Sequence, residues 1–74
     1  MPRRMTYEEI ADDLAARIES GEYPPGSLLP SVSKLAELYS VSRATVDKTL
    51  IVLRLRGLTE GVPGRGTFVR AREP

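Results

Sequence analysis

Apolar residues recur with helical spacing in three stretches of the chain and alternate in a fourth. Ile10, Leu14 and Ile18 fall every fourth position, flanked by Tyr7, Ala11 and Ala15, which predicts an amphipathic helix from Tyr7 to Ser20 that stops at Gly21. Thr6-Tyr7-Glu8-Glu9 has the form of a capping box at its start, and acidic residues there suit the positive end of the helix dipole. The opposite face, with Asp12, Asp13 and Arg17, is expected to be solvated. Between Pro30 and Leu58 two further helices are predicted, separated by a short break at Ser40-Val41-Ser42. Behind a Ser31 cap, Val32, Leu35, Ala36 and Tyr39 carry the first of these. Behind a Ser42 cap, Val46, Leu50 and Leu53 fall at i, i+4 and i+7 in the second, and Gly57 supplies its stop signal.

The segments between and after these helices read differently. Residues 21–30 hold three prolines and two glycines, so neither a helix nor a central strand runs through them. Ser27-Leu28-Leu29 is expected to be extended and to pair with something downstream. Beyond Gly57 two short extended runs, Leu58-Thr59-Glu60 and Thr67-Phe68-Val69-Arg70, flank the loop Gly61-Val62-Pro63-Gly64-Arg65-Gly66. That is the signature of a β-hairpin, with Phe68, the one phenylalanine, expected to pack inward on the helices. The predicted fold is mainly α with a small β-hairpin (α+β), a winged helix-turn-helix of three helices plus a two- to three-stranded wing. It should occupy residues 6–70, with flexible termini at 1–5 and 71–74. In such a fold the second motif helix, here 42–56, is the one that enters a DNA major groove, and the hairpin is the wing.

Composition narrows the function. Seventy-four residues make one small domain. The chain has no cysteine, which excludes disulfides and thiolate metal sites, and no histidine, the usual general base and commonest metal ligand. Carboxylate pairs such as Asp12-Asp13 lie on an exposed helix face with no pocket to raise a pKa, so an enzyme is not expected. No apolar run approaches the ~20 residues that span a bilayer, and Met1-Pro2-Arg3-Arg4-Met5 leads into an acidic amphipathic segment, so a cytoplasmic protein is expected. The net charge of +1 conceals an asymmetry: residues 1–33 carry three basic and six acidic groups, residues 34–74 eight basic and four acidic. The positive half contains the proposed reading helix, and charge distribution is the electrostatic footprint of a nucleic-acid binder.

The chain also resembles a known family. Pro25-Gly26, Leu29-Pro30-Ser31, Leu35-Ala36, Val41-Ser42-Arg43, Thr45-Val46, Leu50, Leu53, Gly57-Leu58 and Gly64-Arg65-Gly66-Thr67-Phe68-Val69, in that order and without gaps, resemble the GntR family of bacterial transcription regulators. The closing Gly-Arg-Gly-Thr-Phe-Val is most similar to the subgroups typified by HutC and YtrA regulators. The resemblance implies a sequence-specific DNA-binding domain of a regulator, most often a repressor, that binds a palindromic operator as a dimer. Nothing in the chain reads as able to hold a metabolite, so no cofactor is expected. The resemblance also implies DNA contact by Ser31, Ser33, Lys34, Ser42, Arg43, Ala44, Thr45, Asp47 and Lys48 on the two motif helices. On the wing, 61–67, it implies contact by Gly64, Arg65, Gly66 and Thr67 in the minor groove. Relatives carry a separate effector-binding and dimerising domain. This chain ends just after the wing and is expected to be an excised domain or an unusually short regulator.

Two departures from the family pattern bear on recognition. Val32-Ser33-Lys34 stand where the family commonly has Glu-Arg-Glu, so reciprocal capping by a glutamate is lost while Lys34 offers a phosphate contact. Asp47 stands where many members place an arginine facing the DNA; an aspartate accepts from cytosine N4 but repels phosphate. Alternatives remain at several positions. Arg43 has the option of an ion pair with Asp47 at i+4, and Arg65 that of a solvated loop residue. Lys48 has the option of solvent as well as phosphate, Arg54 and Arg56 read as surface residues near a helix C-terminus, and Arg3 and Arg4 read as a disordered tail, with a mobile arm on phosphate as the alternative. Ile51, Val52 and Leu55 lie beside the inward stripe, where relatives usually have polar residues. They form either a wider core contact against the first helix or an apolar patch for a second protomer or another domain. With that patch as its working surface, the chain would instead be a protein-interaction module.

Overall fold

A computed structural model describes residues 5–71. Its elements are α1 (Tyr7–Glu19), α2 (Val32–Tyr39), α3 (Arg43–Leu55), β1 (Thr59–Val62) and β2 (Gly66–Val69). The capping box at α1 is complete: Thr6 Oγ1 accepts from the Glu9 N–H at 3.2 Å, and Glu9 Oε1 accepts from the Thr6 N–H at 2.8 Å. α2 ends at Ser40, which adopts the left-handed conformation (φ 54°, ψ 47°) and turns the chain directly into the Ser42 cap of α3. Left-handed backbone is unusual for a serine, and it is what makes the break between α2 and α3 so short.

The core is built around one stripe of α3. Val46 and Leu53 are buried with Ile10, Ala11 and Leu14 of α1 and Leu35 of α2. Met5 packs against this cluster, so the ordered domain takes in a residue that the sequence reading assigned to a flexible terminus. The Arg3/Arg4 arm and the tail beyond Ala71 lie outside the described residues. A second cluster of Ile18, Leu29 and Val69 joins the end of α1 to the 21–30 segment and the hairpin. Tyr23, Leu50 and Leu58 pack against both clusters and tie the hairpin to the helices.

The hairpin is tighter than its sequence suggested. β1 and β2 pair antiparallel with Thr59 opposite Val69 and Val62 opposite Gly66, so the strands extend into the glycine-rich stretch and the turn shrinks to Pro63-Gly64-Arg65. Leu28 forms a single-residue antiparallel bridge to Phe68, with the Leu29 N–H donating to the Thr67 carbonyl at 2.8 Å and the Val69 N–H to Ser27 at 2.9 Å. The third strand is therefore one residue long. Phe68 does not fill the core as expected. Side chains alternate across a strand, Val69 takes the inward position at 2% exposure, and its neighbour Phe68 is left half-buried. Among the described residues no helix is long and apolar enough to cross a membrane.

Three polar contacts that apolar spacing does not reveal fix the helices to one another. Tyr39 at the end of α2 donates to Asp13 Oδ2 on α1 at 2.6 Å. Arg17 holds the same carboxylate at 3.0 Å and Glu22 at 2.8 Å, and Arg56 beyond α3 reaches Asp12 at 2.9 Å. The face of α1 expected to be merely solvated therefore bonds to both of the other helices. The third contact is internal: Thr49, fully buried in α3, directs its hydroxyl between the Tyr7 carbonyl of α1 at 3.2 Å and its own helix's Thr45 carbonyl at 3.0 Å. Thr59 offers a contrast, since its buried hydroxyl has no hydrogen-bond partner among the described residues.

Two stability predictions follow from these contacts. The Tyr39 hydroxyl and then Arg17 hold the Asp13 carboxyl below its ordinary 3.8. A depressed folded-state value stabilises above pH ~4, and that contribution disappears as pH falls through it. Asp13→Asn should therefore destabilise the fold at pH 7 by at most about 1 kcal/mol for so exposed a group, seen as a lower melting temperature. The deficit should shrink in melts recorded at pH 3. The two buried threonines should respond oppositely to one isosteric change. Thr49→Val should cost about 1–2 kcal/mol in urea unfolding, whereas Thr59→Val, which removes an unpaired hydroxyl, should stabilise by about 1 kcal/mol. Equal shifts for the two would contradict the bonding described.

Candidate nucleic-acid interface

Burying Val46, Thr49 and Leu53 turns the opposite side of α3 outward. Ser42, Arg43, Ala44, Asp47 and Lys48 are all exposed there, and Thr45 is half-buried. Ser42 Oγ accepts from the Thr45 N–H at 3.1 Å and lies 3.0 Å from the Thr45 hydroxyl, so the cap is a hydroxyl pair at the helix N-terminus. Ser31 caps α2 in the same way, accepting from the Lys34 N–H at 3.2 Å, and Ser33 and Lys34 are exposed beside it. With lysine at position 34, Ser31 caps α2 without the reciprocal carboxylate seen at α1.

The wing is positioned by its turn and by Leu28. The Arg65 N–H donates to the Val62 carbonyl at 3.0 Å, with Pro63 and Gly64 (φ 76°) in the middle, the signature of a type II turn. Gly66 (φ 119°) returns the chain where a Cβ would stand 3.0 Å from the Leu28 side chain, so both its backbone angle and its space call for glycine. One depression of about 210 Å³ brings Arg65, Gly66 and Thr67 alongside Ser31 and Val32 at the start of α2. A second, of about 360 Å³, lies between α3 and the hairpin and is lined by Asp47, Ile51 and Arg54 on one side and Thr59, Gly61 and Thr67 on the other. The wing thus adjoins both motif helices, with Thr67 bordering Ser31 at the α2 start and Asp47 on α3, and these make a common front.

Charge is arranged unevenly around this front. Arg17 and Arg56 are held by acids. Lys34, Arg43, Arg54 and Arg65 make no ion pair among the described residues, nor does Asp47, so the Arg43–Asp47 pair is not formed. Lys48 stands 5.9 Å from the centre of the Tyr7 ring at the start of α1. Arg54 belongs to this front although its sequence position reads as plain surface. That placement arises only because the hairpin folds back beside α3.

The three candidate interface residues divide. Val52 packs against the first core cluster, so for it the wider core contact holds. Ile51 and Leu55 are exposed, at 46% and 82%.

The architecture is that of a winged helix-turn-helix domain. A family model described as bacterial regulatory proteins, gntR family, matches residues 6–69, and the chain belongs to that family. It is 44% identical over 68 residues to the HTH-type transcriptional regulator Mce2R of Mycobacterium tuberculosis, a match that covers 92% of this chain and 28% of the relative. Over 70 residues it is 37% identical to the mannosyl-D-glycerate transport/metabolism system repressor MngR of Escherichia coli, covering 95% of this chain and 29% of that one. Among solved structures, the DNA-binding domain of AraR in complex with operator ORR3 superposes with a TM-score of 0.81 at 32% identity, covering 85% of this chain and 76% of that one. The chain thus spans little more than a quarter of the length of these two relatives.

Proposed function

We propose that this domain binds a palindromic operator as part of a dimeric bacterial transcriptional regulator acting in the cytoplasm, most simply a repressor that occupies its site. The observation that carries the reading is Arg43, an exposed arginine at the first position of α3 that remains unpaired although Asp47 stands one turn away. The start of a recognition helix is where base readers sit, and an arginine fork matches guanine O6 and N7. The AraR domain, of like fold, is seen on its operator, which supports the same use here. In this reading Ser42, Thr45, Ser31, Ser33 and Lys34 hold phosphate oxygens, and Ala44 and Asp47 face base edges. Gly64, Arg65, Gly66 and Thr67 place the wing in the adjacent minor groove, where an arginine suits the negative potential of a narrow groove.

Phosphate contacts supply affinity without sequence information, and base contacts supply the preference. Arg43→Ala should therefore reduce the preference for a selected site over random duplex by about 1–3 kcal/mol. Lys48→Ala should weaken binding to both DNAs alike and lower the salt slope by about one. Titrations of both variants on a duplex selected from a random pool, and on random duplex, measure this. Equal losses on the two DNAs for Arg43→Ala would remove its base-reading role. Failure of the unaltered domain to bind any duplex at low salt would favour an interaction module working through Ile51 and Leu55.

A further inference from the structure

Two arginines flank Leu55 and are used in opposite ways. Arg56 turns back to α1 and is bound to Asp12 at 2.9 Å. Arg54 turns forward to the wing, where its Nη1 would be 3.7 Å from a Cβ placed on Gly61 of β1. It is exposed and, among the described residues, engaged in no ion pair or side-chain hydrogen bond. It lines the cleft between α3 and the hairpin together with Asp47 and Thr67, and also the shallow hollow under the wing tip with Val62, Pro63, Gly64 and Arg65.

This placement has a consequence in DNA geometry. A helix in the major groove and a wing in the neighbouring minor groove straddle the one sugar-phosphate strand that separates the two grooves. The surface between α3 and the hairpin must then face that strand. The cleft there holds a carboxylate, Asp47, which repels phosphate, and a single cation, Arg54. A free guanidinium carries donors that match phosphate oxygens in a fork, and its charge opposes that of Asp47 on the same wall. We infer that Arg54 is a phosphate-binding residue that holds the DNA strand running between the recognition helix and the wing. The inference rests on the DNA-binding reading above and adds a contact to it that the helix start and the wing tip do not supply.

The test is a fluorescence-anisotropy titration of a labelled random-sequence 30-base-pair duplex over a series of salt concentrations. It compares the unaltered chain with Arg54→Gln, Arg54→Lys and, as control, Arg70→Gln. Arg70 lies elsewhere, lining the hollow with Ile18, Gly21 and Leu58. Arg54→Gln should bind roughly tenfold more weakly at 0.1 M salt, the scale of one charge-assisted contact. It should also lower the slope of log K against log salt by about 0.9, the counterion release of one phosphate. Arg54→Lys should keep the slope with a smaller loss of affinity, and Arg70→Gln should match the unaltered chain. Weaker binding by Arg54→Gln at an unchanged slope would overturn the assignment, leaving Arg54 as a brace for the wing. Unchanged binding would overturn it as well. If the unaltered chain binds no duplex even at 50 mM salt, the DNA reading itself fails, and the baseline curve alone reveals that.

Discussion

Everything in this domain depends on how the inward stripe of α3 meets α1. Val46, Thr49 and Leu53 leave almost no surface to solvent, and the Thr49 hydroxyl reaches across to the first carbonyl of α1. That contact sets the rotation of α3 about its own axis. Once the rotation is set, Arg43, Ala44, Asp47 and Lys48 have no option but to face outward. Leu50 and Leu58 then carry the constraint onward, because they pack against both clusters and locate the hairpin relative to the helices. In so small a chain few side chains are fully buried, and a core substitution that rotates α3 would move the interface as surely as a change within it.

The polar network behind α3 does related work on charge. Asp12 and Asp13 occupy Arg56, Arg17 and the Tyr39 hydroxyl. The acidic first third of the chain therefore neutralises Arg17 and Arg56 and leaves Lys34, Arg43, Arg54 and Arg65 without an ion pair among the described residues. Net charge near zero and a strongly one-sided surface are compatible for this reason.

Much of this was legible in the sequence. The period of Ile10, Leu14 and Ile18, the caps at Thr6, Ser31 and Ser42, and the stop at Gly57 are local signals, and each element begins or ends within a residue or two of them. What escaped notice depends on the third dimension. Asp13 and Tyr39 are 26 residues apart, Asp12 and Arg56 44 apart, and no periodicity announces that they meet. Thr49 is polar by sequence, and only the approach of α1 supplies the Tyr7 carbonyl that lets its hydroxyl be buried and bonded. Phe68 is the largest apolar residue of the hairpin, yet strand alternation decides which neighbour faces in, and that neighbour is Val69. The place of Arg54 on its helix says little until the hairpin lies beside it.

The helix ends carry the distinction between scaffold and reader furthest. α1 begins with Glu8 and Glu9, and Glu9 closes a capping box, so its exposed N–H groups and positive dipole end are compensated from within. α2 and α3 have no acid in their first turns. Each is capped by one exposed serine hydroxyl, which accounts for one of the four N–H groups that a helix start leaves unpaired. Such an end is under-compensated in the free protein and suited to an external anion, since backbone N–H groups and the dipole both favour negative charge. Lys34, where a glutamate would have completed a second box, removes the internal competitor and adds positive charge at that position. A phosphate strand reaching Ser31 or Ser42 would complete a cap that the domain leaves half made. DNA binding would then stabilise α2 and α3 at their starts while leaving α1 unchanged.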